Sequence, residues 1–195
     1  MQTVIGRAIV KARGSPIRLA LVLCLIGLSL AAPADAGRRR VERVPLADLS
    51  VDADPFDGAE ASFRAKNLGN RRLRVTLNVH DIDATGGQEF GAHVHVGPCV
   101  PGDGGVAGPH YNDGGAPSPR TEVWFRVRSL GKPGTARSSY TANVPFTVLP
   151  ENAKSIVIHA LPTDENGDAG PRLACLDFRP PVRGETTFST RDPND

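Results

Sequence analysis

No apolar stretch of the sequence is long enough to cross a bilayer. Its longest, Leu19–Ala32, runs 14 residues, about 21 Å of helix at 1.5 Å per residue against a hydrocarbon core of about 30 Å. Charge of one sign is also lacking: 23 Lys and Arg face 21 Asp and Glu. Cysteine is scarce, at three residues, and helical periodicity is scarce beyond residue 36. A short apolar run with a basic lead has a different meaning. Arg7, Lys11, Arg13 and Arg18 precede it, and the small residues of Ala34-Asp35-Ala36 follow it, the pattern of a cleaved secretory signal. The alternative is a retained anchor. We read residues 1–36 as the signal peptide, 37–180 as one domain and 181–195 as a polar tail. Export without stable membrane insertion follows, to a periplasm or to the medium.

Removing the leader takes away four basic residues and one acidic residue, leaving 19 against 20, a net charge of −1. Nucleic acid is therefore not an expected partner, and Arg38, Arg39 and Arg40 read as a solvated end. Cys24 lies in the leader. Leu21, Val22 and Leu23 before it lack the small residue of a lipoprotein processing site. Cys99 and Cys175 remain, an even pair in an exported chain, where a disulfide persists.

Strand signals recur after the leader. Arg43 to Val51 reads as a first strand, with Val44, Leu46 and Leu49 apolar, and Ala59 to Asn67 as a second. In Arg72 to Asp81, Leu73, Val75, Leu77 and Val79 alternate with Arg74, Thr76, Asn78 and His80, the period of two of a half-buried strand. Glu89–Val96, Thr121–Leu130, Ser138–Phe146, Lys154–Leu161 and Arg172–Phe178 complete eight strands. Short strands joined by Gly/Pro turns describe an all-β antiparallel Greek-key sandwich or barrel. One connection stands out. Residues 97–120 hold seven glycines and five prolines, and a loop of that length inside a compact domain is usually functional or disordered.

Four of the five histidines sit in informative places. His93 and His95 are two apart on a strand, so both rings face one way. Alone, that pair describes an ordinary solvated strand face. His110 follows Gly108-Pro109 in the long loop, where by itself it would be an exposed loop residue. His159 ends the run Ile156-Val157-Ile158, where a lone histidine is most often core or rim. His80 lies on the polar face of its strand, outside this group. Trp124 and Phe125 are adjacent, so a strand sends them to opposite faces, one of them to the core.

The order of segments adds more. Gly91-Ala92-His93-Val94-His95, Gly97-Pro98-Cys99, Gly108-Pro109-His110-Tyr111-Asn112, Ile156-Val157-Ile158-His159 and Gly170-Pro171-Arg172-Leu173-Ala174-Cys175 succeed one another. This succession resembles the copper/zinc superoxide dismutase family. The resemblance implies copper ligands at His93, His95 and His159, with His110 at the position that bridges copper to zinc. It implies an anion-guiding arginine at Arg172, a Cys99–Cys175 disulfide and superoxide anion as substrate. Four imidazoles suit Cu(II) and three suit Cu(I), so one site can pass single electrons both ways.

The sequence also departs from the family. No histidine lies between His110 and His159, and Asp113 and Glu122 are the only acidic residues between His110 and Glu151. One imidazole with stray carboxylates does not complete a zinc shell, so zinc is not expected. The loop between His159 and Arg172 is short, which should leave the copper more open. Asp164, Glu165 and Asp168 are its candidates for orienting a ligand ring. The leading expectation is an exported copper-only superoxide dismutase. The alternatives are an exported copper-binding or copper-buffering protein on the same scaffold and a metal-free sandwich.

Overall fold

The computed structural model describes residues 42–70, 72–144, 153–179 and 187–190. Residues 1–36, read above as a signal peptide and holding Cys24, lie outside the described residues, as do the arginines at 38–40 and most of the polar tail. Ten strands are described: β1 (Val44–Pro45), β2 (Ala47–Asp48), β3 (Glu60–Gly69), β4 (Arg72–Ile82), β5 (Glu89–His95), β6 (Trp124–Arg128), β7 (Ala136–Val144), β8 (Ser155–His159), β9 (Arg172–Arg179) and β10 (Thr187–Thr190). Every ladder is antiparallel. The strand path runs β6-β5-β8-β9-β10-β3-β4-β7. Its two ends, β6 and β7, share no ladder among the described residues, and the chain between them adds the isolated bridge of Leu130 to Arg137, so the sheet does not close into a barrel. Among the described residues no helix is long and apolar enough to cross a membrane.

Alternation builds the core. β4 buries Leu73, Val75, Leu77 and Val79, and β3 buries Ala61, Phe63 and Ala65 against them. From the facing half come Phe90, Ala92 and Val94 of β5, Phe125 and Val127 of β6, Ile156 and Ile158 of β8, and Ala174 and Leu176 of β9. Phe63 meets Phe125 edge-on at 6.1 Å and Phe178 at 5.1 Å, tying the two halves with aromatic contacts. Phe125 is the core member of the Trp124-Phe125 pair, as expected.

Two expectations change, in the first strand and in the tail. The first strand divides at Leu46: β1 pairs with β3, while β2 crosses to pair with β9. The long connection holds a single 3₁₀ turn, Gly104–Ala107, with the Asp103 side chain accepting from the Gly105 N–H. The tail, placed outside the domain at 181–195, contributes β10, which pairs with both β3 and β9. Thr187, Phe188 and Thr190 are residue types that favour strands, and both neighbours offer backbone partners there.

Candidate metal centre

β5 is buried on both faces. Phe90, Ala92 and Val94 enter the core, so the period of two sends Gly91, His93 and His95 to the outer face. His93 and His95 are nevertheless 0% exposed, because loops cover that face. Val157 of β8 lies opposite His93, and Ser155 opposite His95. A register shift between Ile158 and His159 ends the regular pairing and re-aims the last ring of β8.

Residues 97–120 are folded back along β5. The Gly97 N–H donates to Ala107 O at 2.8 Å and the Tyr111 N–H to Val94 O at 2.7 Å, with a bridge between His95 and His110. Gly97 permits the approach: a Cβ there would fall 2.1 Å from Val106 O. The Ser155 hydroxyl donates to Gly97 O at 2.7 Å. Beneath, Leu49, Ala107, Val157 and Cys175 form a second small apolar cluster with Cys99 packed against it. The Cys99–Cys175 disulfide closes it, with Cα atoms 5.6 Å apart.

These elements bring His93, His95, His110 and His159 together. Ring centroids are separated by 4.0 Å for His93–His110, the nearest pair, and by 6.5 Å for His93–His95, the farthest. One nitrogen from each ring lies within 4.8 Å of the others. Burial, reinforced by mutual repulsion among the rings, pushes His93 down to about 2. Burial likewise takes His95 to about 3 and His159 to about 4, with His110 and Arg172 adding repulsion and a backbone carbonyl opposing it. Three rings are thus neutral near pH 7, the form that binds metals.

Their hydrogen bonds fix which nitrogen is bare. His95 Nδ1 lies 3.0 Å from Gly108 O and His159 Nδ1 2.9 Å from Gly170 O. A carbonyl only accepts, so each Nδ1 carries the proton and each Nε2 a lone pair. Those two Nε2 atoms face each other at 3.4 Å, with no proton between them. His110 Nδ1 donates to Glu122 Oε2 at 2.9 Å, so Nε2 is the nitrogen it has left for the cluster. His93 Nδ1 is buried without a partner. Inward lone pairs at this spacing repel one another unless a cation is shared, and an all-imidazole donor set fits copper.

Arg172 sits at the edge of the cluster, half-buried. Its Nη1 donates to Gly104 O and its Nη2 to Gly108 O at 2.7 Å, so the Gly108 carbonyl is shared with His95. Burial lowers its pKa, yet a guanidinium stays charged.

The orienting groups differ from expectation. Asp164, Glu165 and Asp168 are exposed, and Asp164 uses its carboxylate on the N–H groups of Asn166 and Asp168, closing the loop's turn. Two other residues touch the rings. The Thr163 hydroxyl lies 2.8 Å from His93 Nε2. Glu122, 3% exposed, accepts from His110, from Trp124 Nε1 at 2.8 Å and from Asn112 Nδ2 at 3.1 Å. The same loop packs on β6 and its approach: a Cβ at Gly167 would fall 3.2 Å from the Trp124 ring and 3.2 Å from Pro117 Cβ. His80 lies outside the cluster, half-buried with an unpartnered Nδ1, its pKa lowered chiefly by burial.

A search of curated proteins finds no match for the chain. Residues 58–176 match the family model described as copper/zinc superoxide dismutase (SODC). A match that covers more than half of the 195 residues, and encloses all four clustered rings, Arg172 and both half-cystines, makes this chain a member of the copper/zinc superoxide dismutase family.

Proposed function

We propose that the chain is an exported superoxide dismutase that works with copper alone, held by His93, His95, His110 and His159. The observation that carries this reading is the set of four ring nitrogens, one from each histidine, within 4.8 Å of one another. Copper bound there supplies a one-electron couple, by which one superoxide is oxidised to O2 and the next is reduced, with two protons, to hydrogen peroxide. The protein's own residues do the rest. Three rings are 4% exposed or less, while the His110 side chain is 21% exposed, so a small anion approaches past His110. The Arg172 guanidinium, pinned by two loop carbonyls, draws it in and orients it.

The reading without zinc rests on Glu122. A second metal on His110 Nδ1 would displace the proton now given to Glu122, and one imidazole with one carboxylate falls short of the tetrahedral zinc shell. Export is supported by the basic-apolar leader and by the disulfide, which an oxidising compartment preserves. Residues 37–180 are then the working domain.

The test is to load the chain lacking residues 1–36 with Cu(II) and measure superoxide removal beside the metal content. One copper per chain, retained activity after zinc chelation, and a loss of about tenfold or more in kcat/KM for Arg172→Ala are expected. Tight copper binding with turnover no better than the copper-free protein would place the chain among copper-buffering proteins instead.

A further inference from the structure

We infer that Thr163 is the positioning residue that decides which nitrogen His93 turns toward the metal, an assignment that rests on reading the four imidazoles as a copper site. His95, His110 and His159 are each held by Nδ1 and present Nε2 inward. His93 is inverted: its Nε2 is the engaged atom, at 2.8 Å from Thr163 Oγ1, and its Nδ1 is the buried, unpartnered one. Two tautomers are available. With the proton on Nδ1, a ring that is 0% exposed would bury an N–H with no acceptor, which is disfavoured. With the proton on Nε2, that N–H donates to the Thr163 hydroxyl and Nδ1 is left as a lone pair, which a cation satisfies. The hydroxyl thereby selects the ligating atom.

A second feature of the chain serves the same contact. Gly91 precedes His93 by two residues on the same face of β5, and its N–H donates to Leu161 O at 2.8 Å. A Cβ at Gly91 would fall 2.4 Å from Thr163 Oγ1, 2.9 Å from Thr163 N and 2.8 Å from Ala169 Cβ. Glycine at 91 is what lets the loop from β8 to β9 lie against the strand and bring its hydroxyl to the far side of the ring. Neither residue touches the metal. They act through His93.

The experiment compares Thr163→Val, which keeps the shape and loses the hydroxyl, with Thr163→Ser, which keeps it. For each Cu(II)-loaded protein the electron paramagnetic resonance spectrum and the copper affinity by chelator competition are read, with the urea midpoint of the metal-free form as the control for folding. Expected are a changed spectrum and a 10–100-fold weaker affinity for Val, parental values for Ser, and a shared urea midpoint before copper is added. Gly91→Ala should reproduce the Val spectrum. No change in Val, or an equal loss in Val and Ser, would overturn the assignment while the copper site stands. A parent protein that binds no copper would overturn the site and the assignment together.

Discussion

Glu122 is buried among three donors, His110 Nδ1, Trp124 Nε1 and Asn112 Nδ2, and an ionised carboxylate satisfies all three because both oxygens accept. An amide has one accepting oxygen and two donors of its own. Glu122→Gln should therefore leave at least one N–H facing another, at about 1–3 kcal/mol, read as a lower urea midpoint in the metal-free protein. The four rings themselves were legible in the sequence, because two-residue spacing on a strand and an ordered set of motifs are both local. Glu122 and Thr163 were not. Glu122 lies 12 residues from His110, and the segments come side by side through the isolated bridge of Asn112 to Glu122 and the Asp113 N–H on Thr121 O. Thr163 acts through a hydroxyl beside three carboxylates that looked better suited, and its partner is 70 residues away.

β5 and the loop after it explain how an outer sheet face becomes the most buried part of the site. Alternation places His93 and His95 outward, and the loop then covers them by lying directly on Gly97. A methyl group there meets backbone, Val106 O at 2.1 Å and the Ala107 carbonyl carbon at 2.7 Å, and backbone cannot swing aside as a side-chain tip can. Gly97→Ala should cost about 1–3 kcal/mol or more and displace the segment leading to His110. Urea denaturation of the metal-free protein and copper affinity should both fall. At this scale the sequence was read well where a strand alternates, as in β4, since one face is buried and the pattern is forced. It was read poorly where pairing depends on distant edges. β1 and β2 looked like one strand because nothing local marks the crossing at Leu46. β10 was missed because residues 180–186 before it are rich in proline and charge, while its partners, β3 and β9, are remote in sequence.

Across the whole molecule two long-range constraints hold the site together. The disulfide joins residues 76 apart, and closing a loop of that size restricts the unfolded chain by about 4–5 kcal/mol in the entropic account. Reduction should lower the urea midpoint accordingly and loosen the loop that carries His110. The second constraint is burial of the rings. His159, His95 and His93 are held near 4, 3 and 2 against 6.5 for a free histidine, so the unfolded chain takes up protons that the folded one refuses. The metal-free protein should be fully stable above about pH 6.5 and lose stability as the pH falls toward 4 and below, seen as a urea midpoint that drops with acid. His93→Ala/His95→Ala should flatten that dependence. The most direct measurement is Cu(II) titration of the chain lacking residues 1–36, followed by electron paramagnetic resonance. A single copper per chain with nitrogen hyperfine structure, abolished in His93→Ala/His95→Ala, is the predicted result; a signal with oxygen ligands that the double variant leaves unchanged would contradict the account.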